Sequence, residues 1–275
     1  VAGRHGGTPR RPRLIAVDLG IAGRRAIVCA SSRGLGFACA ASLAREGVDV
    51  VINSRDHEAL THARARIAEL HDVDVTAVVG DITLQATHEA LLAACPAPDI
   101  VVTNNGGPTP GRFADWDRDA WIAALDANML APLALIRLVL DGMVDRHFGR
   151  IVNITSAMVK TPMSPMGLST GARAGLTSVV KSLSKDVAHA NVTINNLLPE
   201  RIDTERQQQM ARLHASRAGI TVEEAYDHMA RSIAARRLGR PEEVGDACAF
   251  LCSAQAGYIS GQNLQLDGGS FAGLM

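Results

Sequence analysis

From Gly23 onward, short β-branched runs alternate with alanine-rich amphipathic runs, and that alternation constrains the fold more than any other feature of the chain. The spacing predicts strands at Ala26–Ala30, Val48–Asn53, Val75–Val79, Ile100–Thr103, Arg150–Thr155, Val192–Leu197 and Asn263–Leu266. Helical patterns fall between them at about 34–46, 56–70, 84–94, 116–147, 167–189 and 241–252. Runs such as DIVVT and GRIVNIT are apolar nearly throughout, as parallel strands covered on both faces must be. No linker or internal repeat interrupts the β-α repetition. It specifies an α/β single domain over 18–275, built as a doubly wound parallel sheet of about seven strands with helices on both faces. One polar helical stretch, 203–237, stands outside the pattern and lies where a substrate lid would sit.

A chain of 275 residues is long enough for one large α/β domain with a sizeable core. Its formal net charge of zero gives no global electrostatic case for nucleic acid or an anionic membrane as partner. The most apolar long segment, Trp121–Val144, carries Asp126, Asn128, Arg137 and Asp141, so no transmembrane span is expected. The five cysteines, Cys29, Cys39, Cys95, Cys248 and Cys252, are odd in number and form no C-x-x-C pair. They read as buried thiols in a reducing, cytoplasmic compartment rather than disulfides or metal ligands. Residues 1–17 are a basic extension. Its first sixteen hold four arginines and no acid, and with Gly and Pro they offer no apolar face to pack, so disorder is expected. A nucleic-acid arm or a targeting segment is the alternative.

The first strand runs into Ser31-Ser32-Arg33-Gly34-Leu35-Gly36 and then a helix. Gly34 and Gly36 allow a tight turn and a close backbone approach, and the helix start offers its N–H groups to a pyrophosphate. The second strand ends Asn53-Ser54-Arg55. Ser54 stands where an acid would repel a ribose 2′-phosphate, while Arg55 and Arg33 can pair with one, which favours NADP over NAD.

Other stations line up with these. Cys29-Ala30-x-x-x-Gly34-x-Gly36, Asp81-Ile82, Asn104-Asn105-Gly106-Gly107, Asn128 in LDANMLAP, Ser156, Pro199 with Ile202-Asp203-Thr204, and the run Leu238–Gly269 together resemble the short-chain dehydrogenase/reductase family, in particular its 3-oxoacyl-carrier-protein reductases. The resemblance covers about residues 18–271 and implies a Rossmann-like fold. It also implies that Asp81 and Ile82 contact adenine, that Asn104, Asn105 and Gly106 border the cofactor ribose, and that Pro199, Ile202 and Thr204 fix the nicotinamide amide. Asn128 would support a proton-relay water and Ser156 would bind the substrate carbonyl. The family forms dimers and tetramers through the helices that correspond to 116–147 and 167–189, so the resemblance, together with the apolar C-terminal strand, implies a homo-oligomer, a dimer or a tetramer.

One departure bears on chemistry. Where the family has Tyr-x-x-x-Lys, this chain has Ser169-Thr-Gly-Ala-Arg173. A phenol starts near pKa 10 and a positive neighbour brings it toward working pH, whereas an aliphatic hydroxyl is a far weaker acid and a ring shorter. Arg173 keeps charge and donors for the ribose but holds its proton. Three groups are available as proton source: Lys160, in the loop leaving the fifth strand; Tyr226, in the excursion; and water relayed through Ser169 and Asn128. The other tyrosine, Tyr258, reads as fold-stabilising. Arg173 and Arg201 are also candidates for binding an anionic substrate group. The leading expectation is an NAD(P)-dependent oxidoreductase acting on a small carbonyl or alcohol. The rivals are an NADP-binding sensor or partner subunit without turnover, and a non-redox lyase or isomerase on the same fold.

Overall fold

The computed structural model describes residues 17–274. All but one of residues 1–17, the basic extension, lie outside the described residues; the exception, Val17, is exposed. Seven parallel strands form one sheet: β1 (Arg25–Val28), β2 (Asp49–Ser54), β3 (Val75–Val79), β4 (Ile100–Thr103), β5 (Gly149–Ile154), β6 (Val192–Pro199) and β7 (Asn263–Leu266). Their order is β3-β2-β1-β4-β5-β6-β7, the doubly wound arrangement the alternation predicts.

Because side chains alternate across a strand, each strand feeds two cores. Ala26 and Val28 of β1 pack toward α1 (Gly34–Arg45), α2 (His57–Leu70) and α9 (Pro241–Cys252). Ile27 packs on the other face, against α3 (Gln85–Ala94), α5 (Ala131–Asp145) and α6 (Gly167–Val187). This double burial is why the strands read as unbroken apolar runs rather than alternating ones. All five cysteines are buried and free.

The sequence-predicted helix over 116–147 is divided. α4 (Arg118–Leu125) passes through a π turn at Asp126–Leu130 before α5 begins. Pro132 supplies the physical reason: it has no N–H for the backbone bond one turn back, so the helix widens just before it. Asn128 sits buried in that turn. The stretch Arg118–Asp145, 28 residues with a window of mean hydropathy 1.7, is long and apolar enough by length and composition to cross a membrane, which the sequence reading had not expected. Here its Leu135, Ile136, Val139 and Met143 lie in the core.

The excursion folds as α7 (Glu205–Ala218) and α8 (Val222–Arg231), joined around Ala211, Ala215 and Ala225. It belongs to the β6–β7 connection, which ends in α9 on the α1 face although it runs in the same direction as the β4–β5 and β5–β6 connections over the opposite face. Its hand is therefore opposite to that of the other five crossovers, an uncommon arrangement for parallel strands. Tyr258, expected to stabilise the fold, stands fully exposed beside β7, so the Y-I-S-G context does not reflect packing within one chain.

α9 reaches α1 because their contact is lined by small residues. A Cβ built on Gly245 would stand 2.8 Å from the carbonyl carbon of Ala38 and 2.6 Å from Ser42 Oγ. Gly245→Ala is expected to destabilise the protein by about 2 kcal/mol, within the range for overpacked contacts, without changing the urea m-value. Equilibrium urea unfolding followed by circular dichroism measures both.

Candidate active site

The carboxyl ends of β1 and β4 lie at the point where strand order reverses, the crevice in which open α/β sheets bind ligands. The loop after β1 enters it through a left-handed residue, Ala30, at φ +46°, followed by Gly34 at φ +58°. Alanine in this region costs about 1 kcal/mol relative to glycine, yet the turn is made. Asn104 Nδ2 donates to the Ala30 carbonyl at 3.2 Å and anchors it to the end of β4. A Cβ on Gly36 would stand 2.9 Å from both the Ala30 carbonyl carbon and Asn104 Nδ2, so only glycine fits there. The helix that follows has no side-chain cap at Arg33 and no acid in its first turn. Its leading N–H groups thus fit a pyrophosphate.

The sequence-predicted cofactor residues divide into two groups. Ser32, Arg33, Gly34, Ser54, Arg55, Asn104, Asn105, Gly106, Pro199 and Thr204 keep at least part of their surface open along the carboxyl edge, and Leu35 does so while leaning on the core. The side chains of Ser31, Ile82 and Ile202 are not available. Ser31 Oγ donates to the Val28 carbonyl at 2.7 Å and accepts from Asn53 N at 3.0 Å, closing β1 onto β2. Ile82 and Ile202 are core residues, so only their main chains can meet a ligand.

On the phosphate side, Ser32 Oγ donates to Ser54 Oγ at 3.0 Å. Arg55 is exposed and 3.5 Å from Asp81. The Asp81 carboxyl is held below the usual carboxylate range, mainly by the Thr83 N–H and with help from the Thr83 hydroxyl and Arg55.

At the reaction end, Arg173 and Ser169 lie one turn apart on α6 and both are buried. Arg173 Nε donates to Ser169 Oγ at 3.2 Å, Nη1 to the carbonyls of Ile154 at 2.7 Å and Thr155 at 3.2 Å, and Nη2 to the carbonyl of Asn105 at 3.3 Å. A guanidinium has five N–H groups, so one remains for a ligand. Burial brings the Arg173 pKa down to about 10, with the nearby Arg206 adding to the effect, so the group stays charged at neutral pH.

Ser156 caps a short 3-10 turn, its Oγ accepting from Met158 N at 3.2 Å. Both Ser156 and Ser169 hydroxyls are thereby used as acceptors from N–H groups and keep an O–H to donate. Asn128 Oδ1 is buried without a hydrogen-bond partner among the described residues, an acceptor that a water could donate to. Asn105 Nδ2, at 3.0 Å from the Ala127 carbonyl, ties this π turn to the end of β4.

The remaining candidates are placed less favourably. Lys160 Nζ stands 5.3 Å from the centroid of the Phe271 ring, half-buried beneath the C-terminal segment. Tyr226 donates to Asp203 at 3.2 Å, and desolvation together with that carboxylate raises its pKa, which makes it a poorer acid than a free phenol. Arg201 lies 3.6 Å from Glu200 and donates to the Met229 carbonyl at 3.2 Å, so its charge is already met.

Two features were missed in the sequence. Thr103 Oγ1 donates to Asn153 (2.7 Å), Asn153 to Asn196 (3.0 Å) and Asn196 to Asn263 (2.8 Å), a buried polar ladder across β4 to β7. Asparagines inside the apolar runs IVNIT and TINNLLP were the signal. The second is Arg206, which reaches from α7 to the carbonyls of Gly107 at 3.1 Å and Pro108 at 3.2 Å.

Residues 29–270 match the family model described as enoyl-(acyl carrier protein) reductase. The NADPH-dependent reductase BacG of Bacillus subtilis is 30% identical over 90% of this chain and 97% of its own length. The L-sorbose reductase of Gluconobacter frateurii, solved with NADPH and L-sorbose, superposes with a TM-score of 0.89 at 26% identity, covering 94% of this chain and all of that one. A 3-oxoacyl (acyl-carrier-protein) reductase of Agrobacterium tumefaciens with NADP bound gives 0.83 at 27%, over 92% and 96% of the two chains.

Removing the Arg173 head leaves three main-chain carbonyls without their donor. Arg173→Met is expected to cost about 3 kcal/mol in urea unfolding, and Arg173→Lys, which retains three donors, less than half of that.

Proposed function

We infer the function from one premise: the chain belongs to the short-chain dehydrogenase/reductase family. It is an NAD(P)-dependent oxidoreductase, and its substrates are small molecules interconverted between carbonyl and alcohol. The observation that carries the reading is the pair of hydroxyls at the reaction end, Ser156 and Ser169, each accepting from an N–H and each left with a proton to donate.

NADP is the cofactor, held by the uncapped start of α1 at its pyrophosphate and by Arg55 and Ser54 at its 2′-phosphate. Ser32, Asp81, Asn104, Asn105, Gly106 and Thr204 line its path toward the reaction end. When bound it supplies or takes up the hydride. Ser156 donates to the substrate oxygen and polarises the carbonyl. Ser169 delivers the proton to that oxygen, its hydroxyl made a stronger donor by the Arg173 guanidinium, and a solvent water, oriented by donating its other proton to Asn128 Oδ1, reprotonates it. The last free N–H of Arg173 is left for a ligand at the reaction end. The excursion α7–α8 acts as the lid, its first residues lying against the glycine turn: a Cβ on Gly34 would be 3.8 Å from Thr204 Cγ2. Lys160 is the second candidate donor, as an ammonium in the loop leaving β5.

The test is NADPH oxidation across a carbonyl panel, with cofactor affinity read separately by fluorescence titration. Ser156→Ala is expected to lower kcat/KM roughly 100-fold at unchanged NADPH affinity. Ser169→Ala is expected to lower kcat roughly tenfold or more and Lys160→Met to leave it within about threefold; the reverse order assigns the proton to the ammonium. Arg55→Ala is expected to weaken NADPH roughly tenfold and to spare NADH. NADPH binding with no carbonyl reduced would replace the enzyme by a cofactor-binding protein.

We also propose self-association. Leu130, Leu138 and Val179 expose apolar side chains on α6 and the α4–α5 stretch, while Phe250, Tyr258 and Leu264 do so near β7. Light scattering after size exclusion is expected to return two or four times the chain mass of 29.0 kDa; a mass of one chain would overturn this.

A further inference from the structure

Around the cleft, the acids are already engaged. Glu205 lies 3.4 Å from Arg33, Glu200 is 3.6 Å from Arg201, and Asp203 accepts from the Tyr226 phenol. Arg173 and Arg206 are different: among the described residues their side-chain partners are carbonyls and one hydroxyl, and neither makes an ion pair. They converge on one place. A Cβ on Gly107 would stand 3.5 Å from Arg206 Nη2 and 3.8 Å from Arg173 Nη2. Two guanidiniums beside one another with no carboxylate repel, and burial of Arg173 worsens the cost, as its lowered pKa records. An oxyanion between them relieves both effects, and guanidinium is the side chain best shaped to take one.

The position says whose anion it is. Consecutive residues at the start of α7 face opposite sides of the cleft: Glu205 meets Arg33 at the glycine turn, where the pyrophosphate belongs, and Arg206 meets Gly107 and Pro108 beyond the end of β4, beside Arg173 and Ser169. A charge supplied there sits on the Ser169 side of the cleft, away from the Arg33 turn, and is assigned to the substrate on that ground.

We propose that Arg206, with Arg173 behind it, forms an oxyanion subsite next to the reaction end, and that the substrates are carbonyl compounds bearing a carboxylate, or the matching hydroxy acids. Arg206 is then a specificity-determining residue carried by the lid. Its contacts to Gly107 and Pro108 tie α7 to the loop after β4 and leave three of its N–H groups for a ligand. This deepens the oxidoreductase reading and rests on it for the identity of the reacting group, while the subsite itself is open to a binding measurement.

The probes are malonate and its neutral counterpart malonamide, titrated calorimetrically at low salt into the full chain with and without saturating NADPH. Malonate is expected to bind roughly tenfold or more tightly than malonamide. Arg206→Gln is expected to lose roughly tenfold in malonate affinity while NADPH affinity stays within about twofold; Arg206→Lys is expected to recover part of the loss, which a merely unfolded lid would not do. Equal binding of the two probes, or a malonate affinity unmoved by Arg206→Gln, overturns the subsite. Competition between malonate and NADPH, with Arg206→Gln weakening both alike, also overturns it by assigning the charge to the cofactor's pyrophosphate. In the kinetic arm, oxo acids are expected to have KM values roughly tenfold below those of their methyl esters, with the difference lost in Arg206→Gln. Intact malonate binding with no turnover of any carbonyl would sink the oxidoreductase reading and leave the subsite standing.

Discussion

The buried guanidinium of Arg173 is the contact on which the reaction end depends. It hydrogen-bonds the main chain where β5 ends, at Ile154 and Thr155, and where β4 ends, at Asn105, while its Nε holds the hydroxyl of Ser169 on its own helix. A charge this deep is tolerable only when nearly all its donors are met, and four of its N–H groups are. The exchange of Tyr-x-x-x-Lys for Ser-x-x-x-Arg is therefore coherent as a pair. A phenol at position 169 would extend far beyond the point where the guanidinium now donates, and a planar head at 173 fills that space with fixed donors. In this chain the guanidinium lies directly against the Ser169 hydroxyl, at 3.2 Å.

The sheet makes such a site possible by placing polarity only where it is wanted. Its strands are largely apolar, and most of the polar side chains within them are bonded to one another or to the main chain. The ladder from Thr103 through Asn153 and Asn196 to Asn263 links four strands with side-chain bonds. A largely buried network of this kind penalises any slip in register, because a shift by one residue would separate the bonded amides. Two further devices extend the order outward. The π turn before Pro132 sets Asn128 facing inward with an open acceptor. The reversed β6–β7 crossover carries α9 to the α1 face, and α7–α8 lie on the way.

Much of the site was legible because its elements are local. Gly34, Gly36, Asn104, Ser156 and the helix spacing of Ser169 and Arg173 each announce themselves within a few residues. What misled was context. Ser31 looked like a phosphate contact, but its hydroxyl closes β1 onto β2; Ile82 and Ile202 matched a motif whose side chains turn out to be core. Tyr258 looked structural and is exposed, and Arg201 looked free and is engaged by Glu200. Arg206 gave no signal, since one arginine in a polar helix resembles any other.

The sequence by itself determined the strand and helix order, the covering of both sheet faces, the glycine turn and the absence of the family's phenol. The reason is that periodicity and special backbone conformations are properties of neighbouring residues. Only the tertiary structure decided which charges are neutralised, which hydroxyls keep a proton to give, and where two guanidiniums meet that make no ion pair among the described residues. Those depend on groups brought together from far along the chain: Arg206 stands 99 residues from Gly107. Electrostatics at close range follows distance and burial in space, and sequence spacing carries neither.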